Sequence, residues 1–335
     1  MVAINLDRAA RATVSAIESA RLAGHNAFRS RRLGASSWGG ECERKSWYAF
    51  RYTLPPETFS GQMLRLFDTG HREEARIVED LKRAGFEVIE FDPETFDPKR
   101  WKQRQWEYTY LDGHGVCKLD GKIAGIPEAP KAWHVLEIKT HNKKSFDKLE
   151  PNGVQKAKPE HYAQMQLGML GAGLDRALYV ALCKDNDAYY CERVEADSAF
   201  QMDLLAKGSR IVFSDEAPKR LHPDPTKRDA FACGWCQYKD NCHGVAWAER
   251  NCRTCLHSTP SKKGGGVWTC ARFDGEEIPA DFQSKSNACA LHLFNPAFVP
   301  GDLLSVDQSA WTVTYRLIET GETWTDGLGL NTEGR

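Results

Sequence analysis

Apolar residues first recur at helical spacing at Ala10, Val14 and Ile17, so residues 3–33 predict an Ala/Arg-rich helix. A basic stretch from Arg29 to Arg32 forms its exit. From Pro55 a longer helix runs to Gly85, a suitable C-terminal stop. One of its faces carries Leu64, Phe67, His71, Glu74, Val78 and Leu81, which predicts a buried stripe with two polar groups at its middle. Strand-like segments follow at 86–91, 105–111, 116–126 and 133–140, and Gly113-His114-Gly115 predicts a hairpin between the middle two. A helix over 159–171 leads to strands at 176–182 and 188–194, joined at 184–187. A helix over 198–213 then precedes a Pro-rich break at 221–225. Near the end, alternation at Trp311, Val313 and Tyr315 predicts a small hairpin within 309–324. The order helix, strands, helix, strands is that of an α/β fold with a mixed central sheet.

At 335 residues the chain exceeds one small domain. Apolar usage of 41% and charged usage of 27% exclude wholesale disorder. The net charge of −1 means that nucleic-acid affinity has to come from a local basic patch. No apolar run approaches eighteen residues, and no charged start leads into an apolar block. A membrane segment or export signal is therefore not expected, and a cytoplasmic location is.

Eleven cysteines in such a chain argue for metal ligation over disulfides. Cys117, Cys183 and Cys191 sit in strand-like sequence and read as core residues. Seven others crowd into residues 233–289 in two sets. The first is Cys233, Cys236 and Cys242; the second is Cys252, Cys255, Cys270 and Cys289. A two-residue turn lets both sulfurs of a CxxC pair reach one ion. The long gaps of the second set suit a zinc ribbon or knuckle, with His292 the substitute should one sulfur be absent.

A second constellation lies between residues 119 and 140. On a strand, Val135, Glu137 and Lys139 share one face while Leu136 and Ile138 take the other. A preceding hairpin strand can set Asp120 beside them. Two carboxylates and a lysine on one patch suit Mg²⁺ and a water aimed at a phosphodiester, although charged pairs on solvated strands are common. His71 and Glu74 would face the same sheet. The helix that follows begins His161-Tyr162-Ala-Gln164-Met-Gln166, and its polar first turn suits a phosphate. Lys143, Lys144 and Lys148 lie on what reads as a loop between strand and helix, with Lys156 and Lys158 near its end, and predict phosphate contacts.

Together these residues resemble the RecB-like branch of the PD-(D/E)xK nuclease superfamily. The matching pieces are Gly70-His71-Arg-Glu-Glu74, Leu119-Asp120-Gly121, Glu137-Ile138-Lys139-Thr140 and Tyr162-Ala-Gln164-Met-Gln166, within about residues 40–245. The resemblance implies a restriction-endonuclease-like core: a mixed central sheet flanked by helices. It implies Mg²⁺ or Mn²⁺ held by Asp120, Glu137 and the upstream His71 or Glu74. Lys139 would position or activate the attacking water, Gln164 would complete the catalytic set, and Tyr162 would join the lysines on DNA. Members often carry a tyrosine four residues after the motif glutamine, where this chain has Gly168. Part of this branch also holds a 4Fe–4S cluster on one early cysteine and a late C-x2-C-x5-C trio. Cys42, Cys233, Cys236 and Cys242 fit that pattern, with Zn²⁺ on the same four thiols as the alternative.

The expected organisation is a helical segment over 1–33, a nuclease domain over 34–248 and a small zinc-ribbon-like module over 249–335. The leading functional reading is a metal-dependent DNA exonuclease acting on ends or single strands in recombination, repair or phage DNA metabolism. A recombination or annealing protein would be a fitting partner, and a phage-encoded chain would work in the host cytoplasm. The competing readings are a structure-directed endonuclease on the same fold and an inactive DNA-binding or interaction subunit.

Overall fold

The computed structural model describes residues 10–25 and 29–327. Of the first expected segment, helix α1 (Arg11–Ala23) is described; it buries no side chain and lies against a later helix through the Arg65–Glu18 and Arg21–Asp68 ion pairs. Strand β1 (Leu33–Gly34) leads to helices α2 (Ala35–Trp38) and α3 (Glu43–Phe50). Cys42 caps α3, its sulfur accepting from the Lys45 amide. Helix α4 (Gly61–Arg83) begins at Ser60, whose hydroxyl accepts from the Met63 amide, and ends at Gly85 with φ +90°.

Strands β2 (Glu87–Ile89), β3 (Phe91–Asp97), β4 (Lys102–Gln105), β5 (Glu107–Tyr110) and β6 (Gly115–Lys118) come next. The predicted Gly113–Gly115 hairpin joins β5 to β6, whereas β3 and β4 form a separate ribbon the pattern did not predict. The expected strand over 116–126 is broken at Asp120: β6 ends at Lys118, and β7 (Gly121–Ala124) starts in another sheet. After β8 (His134–His141), the expected lysine loop is helical, as α5 (Lys143–Phe146) and α6 (Leu149–Ala157). Helix α7 (Pro159–Ala172) carries proline in its first turn and closes on Gly173 in the left-handed region. Strands β9 (Arg176–Cys183) and β10 (Tyr189–Glu195) and helix α8 (Ser198–Phe213) follow as predicted.

The central sheet has the order β10-β9-β8-β7-β2, parallel between β8 and β9 and antiparallel elsewhere. Leu136, Ile138, Leu178, Val180 and Leu182 pack on one face with Ile77 and Val78 of α4. Val135, Ala177, Tyr179 and Ala181 belong to the other face, in the cluster that contains Met165 and Leu167 of α7. Both faces are covered, as a strand read as near-continuously apolar requires. Cys117 and Cys183 are buried, as expected of core residues, but Cys191 is exposed.

Short helices α9 (Phe231–Gly234) and α10 (Lys239–His243) carry the cysteine trio. The remaining described residues form two three-stranded sheets. One is β11 (Ser258–Pro260), β12 (Trp268–Cys270) and β13 (Glu276–Ile278). The other is β14 (Gly301–Asp307), β15 (Thr312–Leu317) and β16 (Thr323–Gly327), one strand more than the predicted hairpin.

The expected break at residue 248 is not a break in packing. Trp268 is fully buried against Phe50 and His114, and the Phe298 ring stacks on Trp47 at 4.7 Å. The buried Arg253 guanidinium donates to the Phe50 carbonyl at 2.8 Å, the Arg31 carbonyl at 2.9 Å and the Gln283 side chain. Asn251 bonds the Tyr52 carbonyl, and His114 bonds the Ser261 carbonyl. Buried polar groups need partners, and here the partners lie across the expected boundary. Residues 249–327 thus share one core with residues 31–213 instead of forming a detached module.

Candidate active site

The break between β6 and β7 places Asp120 beside the middle of β8. Its Oδ2 accepts from the Ile138 amide at 2.7 Å and lies 3.7 Å from the Lys139 ammonium. Lys139 Nζ also donates to the Ile138 carbonyl and forms an ion pair with Glu137 Oε1. Strand alternation therefore does what the sequence predicts, with Glu137 and Lys139 on the α7 side of the sheet. Glu137 is fully buried, and no hydrogen-bond donor reaches its Oε2. Burial pushes this carboxyl up to about 8, outweighing the attraction of Lys139, and the negative charge of Asp120 adds to the rise. Burial opposes the Lys139 charge as well, but the Glu137 and Asp120 carboxylates raise its proton affinity above the ordinary lysine value.

Glu74 on α4 lies close enough to feel the charges of Asp120 and Lys139. It is half-buried, and desolvation followed by repulsion from Asp120 raises its proton affinity. His71 departs from expectation: it is exposed, as is Phe67, because the buried stripe of α4 is interrupted between Leu64 and Ile77. Among the described residues, its site-directed influence is a favourable electrostatic contact with Glu74.

Helix α7 separates its two glutamines. The Gln166 amide donates to the Glu195 carbonyl and accepts from the Asp197 amide, so it ties α7 to α8. Gln164 is half-buried one turn before Gly168, and Gly168 lies where an added Cβ would meet Leu119 at 2.7 Å and Val135 at 3.3 Å. A tyrosine at 168 would drive α7 off the sheet. Tyr162 is buried and packs on Phe200, which leaves its ring no surface for DNA, contrary to expectation. Lys143, Lys144 and Lys148 are exposed, and Lys143 pairs with Asp147.

One group escaped the motif reading. The Tyr179 hydroxyl is hydrogen-bonded by His141 at 2.8 Å and by His161 at 2.9 Å, and Tyr179 stands in register beside Glu137. His141 also bonds Ser145. Burial first and then nearby lysines push His141 down to about 4 and His161 down to about 3, so both rings are neutral near pH 7. The signal was present in the strand period, because a parallel neighbour in register with Glu137 faces the same way.

The carboxylates of Asp120, Glu137 and Glu74 are hard oxygen donors that suit a divalent cation, and the unpartnered Glu137 Oε2 is the buried atom such an ion would satisfy. The four thiols of Cys42, Cys233, Cys236 and Cys242 line one cavity of about 960 Å³, although Cys42 lies 191 residues before Cys233 (233 less 42). Cys252, Cys255, Cys270 and Cys289 line a second, smaller cavity. Desolvation and then the neighbouring sulfurs push Cys252 up to about 12. Soft donors in both places suit a soft metal. Among the described residues, however, no three His, Cys, Asp or Glu side chains are drawn into an arrangement that could hold an ion. His292 is held away from a ligand role, with one ring nitrogen bonded to Arg250 and the other to Thr254.

No protein-family model and no curated protein matches the chain. Solved structures similar to it include LHK-Exo in complex with dAMP, with 18% identity, 59% of this chain and 90% of that chain covered, and a TM-score of 0.35. The alkaline exonuclease LHK-Exo from Laribacter hongkongensis is similar over the same shares at 19% identity and a TM-score of 0.33. SSO0001 is similar at 15% identity over 69% of this chain and 96% of that one, with a TM-score of 0.39. At such values the likeness is a loose one of fold. No helix among the described residues is long and apolar enough to cross a membrane.

Proposed function

We propose that this chain is a divalent-metal-dependent deoxyribonuclease that acts at DNA ends. The observation that carries the reading is the buried Glu137 carboxylate, unpartnered at Oε2, beside Asp120 and the Lys139 ammonium. A solvated charge pair on a strand would not leave a carboxylate fully buried and short of donors. Asp120, Glu137 and Glu74 would hold Mg²⁺ or Mn²⁺, which supplies Lewis-acid polarisation of the phosphate and a water that ionises near neutral pH. Asp120 is fixed for this role by the Ile138 amide. Lys139 keeps its proton between the two carboxylates and orients the attacking oxygen or neutralises charge on the phosphorane. The neutral His141–Tyr179–His161 chain stands beside Glu137 without adding positive charge to the site. Exposed Lys143, Lys144 and Lys148 would neutralise backbone phosphates. The preference for ends rests on the resemblance to RecB-like nucleases.

The test uses end-labelled single- and double-stranded DNA with Mg²⁺ or Mn²⁺, beside covalently closed plasmid. Loss of label from linear DNA with the circle left intact is the expected result. A nicked circle would turn the reading to an endonuclease, and no cleavage of any substrate would end it.

We infer further that Cys42, Cys233, Cys236 and Cys242 hold a 4Fe–4S cluster and that Cys252, Cys255, Cys270 and Cys289 hold Zn²⁺, both structural. Each set lines a single cavity, which supports this reading. Protein purified without oxygen should be brown and contain iron and zinc. A colourless preparation with zinc alone would assign zinc to both sets.

A further inference from the structure

The β3–β4 ribbon stands apart from every other sheet, and two-stranded ribbons are marginal in water on their own. Its seven-residue first strand spans on the order of 20 Å. At the far end the chain turns through Pro98, Lys99, Arg100 and Trp101, with Trp101 in the left-handed region at φ +49°. The Trp101 side chain is 85% exposed, and its ring is steadied by the Phe96 ring, edge-on at 5.7 Å. Lys99, Lys102 and Arg104 are exposed and form no ion pair among the described residues, while Arg100 reaches only Asp97, at 3.8 Å. An aromatic ring flanked by exposed cations, two of them across the ribbon from Asp97 and Asp92 but not ion-paired with them, matches a base stacked beside its phosphates.

The ribbon is rooted at the candidate active site. Its second leg ends in Trp106, whose carbonyl accepts from the Leu119 amide at 3.1 Å. Its first leg leaves Ile89 and Glu90, which crowd Gly121. Asp120 thus sits between two residues that the legs hold.

Resting on the nuclease reading, we propose that this ribbon is an arm that grips single-stranded DNA, with Trp101 stacking on an unpaired base and Lys99, Lys102 and Arg104 on flanking phosphates. The strand would be held about one ribbon length from Asp120, which suits an end with an overhang or frayed bases.

The experiment measures binding of a fluorescein-labelled 20-nucleotide oligodeoxythymidylate and of a blunt 20-base-pair duplex by anisotropy in EDTA. Trp101→Ala should weaken oligodeoxythymidylate binding between about fivefold and about a hundredfold and leave the duplex within about twofold, since stacking needs an open base. Trp101→Phe should restore most of the affinity. Lys99→Glu combined with Lys102→Glu should lower the salt slope on the single strand by about 1.4. Wild-type affinity in Trp101→Ala, or an equal loss on both substrates, would overturn the arm. If the overturning result comes from protein that still cleaves DNA with Mg²⁺, the arm alone falls. Wild-type protein that neither binds nor cleaves would remove the nuclease reading with it.

Discussion

Glu137 has to be free of its proton to hold a cation, and its burial opposes that. Burial raises the Glu137 carboxyl to about 8 in the fold against the ordinary value of 4.5 in the unfolded chain. Between those values Glu137 binds its proton more tightly in the native state, so its own contribution to metal-free stability falls as pH rises, while His141 and His161, neutral in the fold, act in the opposite sense below pH 6.5. Urea melts in EDTA should show wild type losing stability relative to Glu137→Gln as pH rises from 4.5 to about 8, with Glu137→Gln the more stable protein at pH 8. Added Mg²⁺ or Mn²⁺ should stabilise wild type by mass action and leave Glu137→Gln little changed. Lys139→Ala should retain DNA binding and lose about 10²- to 10⁴-fold in cleavage rate, measured in single turnover. Asp120, Glu137 and Lys139 were legible because strand alternation fixes which side chains meet. His71 was misplaced because helical spacing says which residues share a stripe, not how far along α4 the sheet reaches. Tyr162 was misread because a polar helix start gives no hint that α8 covers that ring.

The contact between α7 and the sheet depends on a missing side chain. Gly168 in mid-helix lacks the propensity of alanine by about 1 kcal/mol, yet an alanine methyl would press on Leu119 and Val135, both fully buried. Overpacking of this kind costs about 1–3 kcal/mol and should win, so Gly168→Ala is expected to destabilise and to lower cleavage by shifting Gln164. Thermal melts and rate measurements on that variant check both. Helices α7 and α8 and strands β8 to β10 were legible because each is long and uniformly patterned. The β3–β4 ribbon was not, since Pro93 and Pro98 and a bulge between Asp92 and Asp97 erase its alternation. Helix α3 was missed for another reason: eight residues carrying Trp47, Tyr48 and Phe50 hold too few turns to show a period.

Removing residues after Ala248 would strip Trp268, Phe298 and Arg253 from the buried rings and carbonyls they cover. Truncation there should give an insoluble or unfolded product, and a soluble fragment with a cooperative melt would restore the two-module view. Arg253→Ala should cost at least about 3 kcal/mol in the full chain by urea titration, because the Phe50 and Arg31 carbonyls and Gln283 lose their donor together. This union was illegible in the sequence, where nothing about Trp47 signals a partner at Phe298. It also sets a schedule for the nascent chain. At roughly 5–20 residues per second, the ribosome needs about 13–50 s to add the residues between Trp47 and Phe298. For that interval a cluster of aromatic rings is outside the exit tunnel without the surfaces that will bury it. Expression should therefore depend on holding chaperones and improve with slower initiation or lower temperature, whatever the stability of the finished protein.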